Sequence, residues 1–192
     1  MDTFVQSVIH LQQTLPFVEG FTIPQQASQL EQFLKEHPEL TTIGEIGFNV
    51  GMSSAVFLNV RESTRVISFD LGQWPYVGHQ KALIDRLWPN RHTLLIGDSR
   101  QSVPQFHEIH PEPIFDFVFV DGGHQGDVPY KDVVNMLPLL KPGGIMCIDD
   151  VCDEPYAQTV VQTYNRLLEE KKVEHIIHYK SDPRGWVYCR KL

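Results

Sequence analysis

Residues 42 to 58 run as an apolar strand, Thr42-Ile-Gly-Glu-Ile46, through Gly47-Phe-Asn-Val-Gly51 and straight into the helix-forming stretch Met52-Ser-Ser-Ala-Val-Phe-Leu58. Gly47 removes the side chain where a ligand must approach the backbone, Gly51 lets a helix begin close to the strand, and the helix N-terminus offers unpaired N–H groups to an anion. The spacing, Glu45-x-Gly47-x-x-x-Gly51, differs from the G-x-G-x-x-G of dinucleotide sites, so a pyrophosphate is the weaker ligand reading. Taken alone, the turn has a tight strand-to-helix connection as its lesser alternative.

The chain beyond this turn repeats the strand-to-acid pattern. Arg65-Val-Ile-Ser-Phe-Asp70 is a second strand ending in an acid, about twenty residues on, the interval of one βαβ unit. Three more strands come after it: His92-Thr-Leu-Leu-Ile-Gly-Asp98-Ser99, Phe115-Asp-Phe-Val-Phe-Val-Asp121-Gly-Gly-His124, and Lys141-Pro-Gly-Gly-Ile-Met-Cys-Ile-Asp149-Asp150. Ligands of an open parallel sheet bind beyond the carboxyl ends of its strands, so these acids converge on one rim. Helices are expected near 3–14, 25–36, 51–60, 79–87, 99–109, 128–139 and 155–171. Two late strands, near 173–179 and 186–190, flank the turn-rich Lys180-Ser-Asp-Pro-Arg-Gly185 and predict an antiparallel hairpin. The expected fold is α/β, a Rossmann-like doubly wound, mostly parallel seven-stranded sheet with helices on both faces and a closing antiparallel hairpin.

A chain of 192 residues with 42% hydrophobic content is large enough to bury one core, which predicts a single domain over 1–192 with a helical extension at 1–20 that either caps the site or makes a homodimer contact. A formal charge of −8 and the lack of a basic run argue against a nucleic-acid partner. No apolar stretch reaches the roughly 20 residues of a membrane span, and the start lacks a signal peptide's basic region. Three cysteines without a Cys-x-x-Cys pair suit a reducing compartment, so the expected location is cytoplasmic.

In order and spacing, the pieces Glu45-Ile-Gly-Phe-Asn-Val-Gly-Met-Ser53, strand-end Asp70, Gly97-Asp98-Ser99, Phe119-Val-Asp121-Gly-Gly-His124 and Pro138-Leu-Leu-Lys-Pro-Gly-Gly144 resemble the class I S-adenosylmethionine-dependent methyltransferases. The resemblance covers roughly residues 40–152 and is strongest to the small bacterial O-methyltransferase-like group related to the catechol and macrolide-sugar enzymes. It implies S-adenosylmethionine as cofactor and a small-molecule acceptor. It places Gly47, Asn49 and Ser53 along the methionine portion, Asp70 on the ribose, and Asp98 and Ser99 near the adenine. Glu45 either binds the amino group indirectly or anchors the turn with Gly51, Asp121 supports the cofactor from the next strand, and Asp98 and Ser99 are also candidates for a helix N-cap.

Asp121, Asp149 and Asp150 form a second constellation. Strands four and five should be neighbours about 4.8 Å apart, which brings three acids within one coordination sphere suited to Mg²⁺ or another hard divalent ion. The metal-dependent O-methyltransferases carry acids at the same places. The alternatives are a helix cap for Asp149 or Asp150 and a purely cofactor-supporting Asp121. His124 stands three residues past Asp121, where the catechol enzymes carry a lysine; a histidine there is the candidate general base, or else it orders the loop. His175 and His178, an odd number apart on a strand, should face opposite ways. Two other functions stay open: a noncatalytic S-adenosylmethionine-binding protein, and an NAD-dependent Rossmann oxidoreductase, against which the missing G-x-G-x-x-G counts.

Overall fold

A computed structural model describes residues 1–181 and 183–192. After helix α1 (Asp2–Thr14) and helix α2 (Pro24–Glu36), strand and helix alternate as β1 (Thr42–Ile46), α3 (Met52–Val60), β2 (Arg65–Asp70), α4 (Tyr76–Leu87), β3 (His92–Ile96), α5 (Ser99–Ile109), β4 (Phe115–Val120), α6 (Val128–Met136), β5 (Leu140–Ile148) and α7 (Gln158–Glu169). Strands β6 (Val173–Ser181) and β7 (Arg184–Lys191) close the chain. Asp182, inside the turn expected between them, lies outside the described residues.

The seven strands form one sheet in the order β3-β2-β1-β4-β5-β7-β6. β7 runs against β5 and β6, and the remaining strands share one direction, as the alternating pattern and closing hairpin require. Both faces are covered. On one, α1 to α4 pack over Ile43, Phe117, Phe119, Trp186 and Tyr188; on the other, α5 to α7 pack over Ile46, Val118, Val120, Met146 and Val187. Burial on both sides explains why β4 is a continuous apolar run from Phe117 to Val120 rather than an alternating one. β1 pairs with β2 on one side and β4 on the other, so the strand order reverses there and a crevice opens beyond their carboxyl ends.

Three expectations change in detail. Helix α4 starts at Tyr76 rather than 79, because the fixed φ of Pro75 already suits a helix start and Tyr76 and Val77 are buried. The helix expected to 139 ends at Met136 and tightens into a 3₁₀ turn, Leu137–Leu139, at Pro138. His175 and His178 do not face opposite ways. A register shift between His175 and Ile177 re-phases β6, so the two histidines pair with Cys189 and Val187, two apart on β7, and share a face. No described helix is long and apolar enough to cross a membrane.

Candidate active site

The glycine turn after β1 is shaped by close backbone approach. Gly47 has φ +91°, and a Cβ there would lie 1.9 Å from the carbonyl oxygen of Asp121 at the end of β4. Gly51, at φ +74°, begins α3 against the ring of Phe48. Asn49 adopts the left-handed region at φ 49°, which turns its N–H onto Asp70 Oδ2 at 2.9 Å. The other Asp70 oxygen accepts the Gly72 N–H at 2.7 Å, so the carboxylate is held by two backbone donors with lone pairs to spare.

Beyond these strand ends lies a cleft of about 740 Å³, a size that suits a cofactor with an acceptor. Gly47, Asn49, Asp70, Asp98, Ser99, Asp121, His124 and Asp150 all line it. Glu45, Gly51, Ser53 and Asp149, expected with them, are placed behind the wall. Glu45 alternates onto the α3 face of β1, is 0% exposed, and accepts hydrogen bonds from the hydroxyls of Ser53, Ser54 and Ser68. The Ser53 hydroxyl is thus turned inward rather than toward a ligand. Burial raises the Glu45 carboxyl while the serine hydroxyls oppose that rise. His92 Nε2 joins the cluster 2.9 Å from Ser68 Oγ, and burial lowers its pKa to about 3, so it is neutral in the fold.

At the next strand end, Asp98 is the one of the two N-cap candidates that caps α5, accepting the Arg100 N–H at 3.0 Å and pairing with its guanidinium at 2.6 Å. Ser99 donates its hydroxyl to Asp132 Oδ1 at 2.6 Å.

The acidic constellation comes together with one exchange. Asp121, His124 and Asp150 present ligand atoms that all lie within 4.8 Å of one another. Asp149 continues β5, its N–H on the carbonyl of Val120, and folds its carboxylate back onto the N–H of Asp150 at 2.8 Å. Asp150 enters the left-handed region at φ 56°, which swings its side chain out to the cleft. His124 Nε2 lies 3.0 Å from Asp150 Oδ2, and the Tyr156 hydroxyl donates to Asp150 Oδ1 at 3.2 Å. That contact raises the His124 pKa, whereas burial and the neighbouring acids push Asp121 well up and Asp149 to about 7. Neither Asp149 nor Asp150 caps the following helix: Glu154 precedes the 3₁₀ turn Pro155–Ala157 that leads into α7.

Residues outside the motifs complete the cleft. The segment after α1 lies along it: Glu19 accepts from Trp74 Nε1 at 2.8 Å, and the Gly20 carbonyl accepts from Asn49 Nδ2 at 2.5 Å. Tyr156 stacks on His124 with ring centroids 5.6 Å apart. Neither Tyr156 nor Glu19 belongs to a motif in the sequence, because both reach the cleft through connecting segments whose course is set by tertiary packing.

The methyltransferase-domain family profile matches residues 45–151. No curated protein matches the sequence. Among solved structures, the O-methyltransferase from Bacillus cereus in complex with SAH aligns with a TM-score of 0.80 and 19% identity, over 100% of this chain and 92% of that one. The SAH-bound methyltransferase PaMTH1 of Podospora anserina aligns at 0.81 and 17%, over 100% and 88%. The O-methyltransferase TomG of Streptomyces achromogenes, involved in tomaymycin synthesis and complexed with SAM, aligns at 0.78 and 18%, over 100% and 90%. At these identities the likeness carries the fold.

Proposed function

Because the chain belongs to the methyltransferase-domain family, we propose that it transfers the methyl group of S-adenosylmethionine to a hydroxyl oxygen of a small molecule, as a single-domain cytoplasmic enzyme. The cofactor supplies an activated methyl group, and the protein must supply in-line placement and a deprotonated oxygen. The bare Gly47 turn and the Asn49 backbone fit the methionine portion, and Asp70 keeps lone pairs for the two ribose hydroxyls. On the cleft wall Glu19, Asp70, Asp98, Asp121 and Asp150 outnumber Arg100 and Arg184, a balance that suits a sulfonium cation better than a pyrophosphate.

The observation that carries the reading is the His124–Asp150 pair, 3.0 Å apart on the cleft wall next to the turn. With Nε2–H donated to Asp150, Nδ1 is left to take the proton of the acceptor hydroxyl, and Tyr156 keeps the carboxylate oriented. The test is calorimetry: S-adenosylhomocysteine should bind saturably and NAD should not. Binding of NAD alone would overturn the assignment.

A second reading is favoured by the convergence of Asp121, His124 and Asp150. Two carboxylates and an imidazole fit a divalent cation, and the imidazole suits Mn²⁺ better than the all-oxygen site expected for Mg²⁺. Such an ion would acidify and orient a hydroxyl, and His124 would then be a ligand rather than the base. Titration with Mn²⁺ and Mg²⁺ in the presence of S-adenosylhomocysteine separates the two: a saturable site lost in Asp121→Asn supports the cation, and its absence leaves His124 as base.

A further inference from the structure

Asp132, on α6, is 0% exposed and takes no part in the chemistry above. Its Oδ1 accepts the hydroxyl of Ser99, the first residue of α5 and part of the cleft wall. Its Oδ2 has no hydrogen-bond partner among the described residues and abuts Gly122, where a Cβ would lie 2.2 Å from it. One carboxyl group therefore touches both the start of α5 and the loop after β4, the second of which carries Asp121 and His124. We infer that Asp132 is a positioning residue that ties the cofactor wall at Ser99 to the Gly122–Gly123 loop, so that the two halves of the cleft keep one spacing.

A buried acid with no cation bonded to it is a costly way to fill space, and an apolar side chain of similar volume would be cheaper. Burial pushes its pKa to about 7, with Asp98 adding to the rise and the Ser99 bond and Arg100 opposing it. The geometry gives the group its use. The half-buried Ser99 hydroxyl is fixed on Oδ1, while Oδ2 sets how closely the Gly122 backbone can approach α6. Gly122 has no side chain because that oxygen occupies the space a side chain would need.

The inference rests on the S-adenosylmethionine reading, and its test separates the two. Wild-type protein is first titrated with S-adenosylhomocysteine. Asp132→Ala should then lose tenfold or more in affinity at a temperature where circular dichroism shows it folded. Asp132→Asn, which keeps an acceptor for Ser99, should stay within threefold of wild type; that rescue is what a mere space-filling role would not give. If Asp132→Ala does not fold, Asp132→Leu, which restores the volume without the bond, carries the same expectation. Wild-type-like affinity in the folded Ala or Leu variant, or an Asn variant as impaired as Ala, overturns the inference. Urea unfolding gives a readout free of the cofactor: the midpoint shifts of Ser99→Ala and Asp132→Ala should fail to add. Additive shifts overturn the tie, whereas non-additive shifts in a protein that does not bind S-adenosylhomocysteine keep the tie and sink the cofactor reading.

Discussion

His92 and His124 show how environment divides one residue type between two tasks. His92 is buried under α3 among serine hydroxyls and is neutral in the fold, with a pKa lowered from 6.5 to about 3 by desolvation first and by Lys81 second. The unfolded chain therefore binds a proton that the fold does not between those values, and the stability His92 allows is complete above pH 6.5 and lost as pH falls toward 3. Each pH unit in that window costs about 1.4 kcal/mol. Urea midpoints of wild type and His92→Gln should diverge accordingly, the wild type losing roughly 2 kcal/mol more than the variant between pH 6.5 and 5; parallel curves would mean that His92 is solvated. His124 stands on the cleft wall beside Asp150. His124→Gln should slow methyl transfer to a hydroxylated acceptor by roughly 10² to 10⁴ and leave S-adenosylhomocysteine binding intact. Single-turnover assays with labelled S-adenosylmethionine read this, and a variant with near-normal turnover would remove His124 from the chemistry. The rim acids Asp70, Asp98 and Asp121 were legible because each ends an apolar run. The exchange of Asp149 for His124 was not, because it depends on the backbone of Asp150 turning left-handed.

Among the elements, the glycines separate local from tertiary constraint. Gly47 combines φ +91° with a neighbouring backbone oxygen in the space of its absent Cβ, so Gly47→Ala must both strain the turn and part β1 from β4. It should cost more than the 1–3 kcal/mol of backbone strain alone, roughly, and abolish cofactor binding. Gly126, at φ +59° with open space around it, provides the control: Gly126→Ala should cost only about 1 kcal/mol. Gly78 lies in α4 at ordinary helical φ with nothing near its Cβ position. Gly78→Ala should stabilise the protein by about 0.5–1 kcal/mol. Guanidinium unfolding of the three variants checks the ranking, and a Gly47→Ala as mild as Gly126→Ala would show that the turn yields. Element types followed from hydrophobic period and turn chemistry, but the bulge in β6 did not, since an extra residue in a strand leaves no compositional mark.

For the whole molecule, binding and stability are linked. S-adenosylhomocysteine at a hundredfold excess over its Kd should add about 2.7 kcal/mol to the folded state, which for a chain of this size raises Tm by about 5–11 °C. Differential scanning calorimetry with NAD as control would show no such shift if the cofactor reading is wrong. The order of strands and helices, the glycine turn and the acidic rim were fixed by the chain itself, because hydrophobic runs, glycine positions and strand-end acids act within a few residues of their own place. Which rim residues reach the cleft was decided only by the assembled sheet. Glu45 and Ser53 turn inward because β1 packs under α3, and Ser99 meets Asp132 across 33 positions of sequence. Such pairings depend on where one strand end stands relative to the next, and that distance exists only once both faces of the sheet are covered.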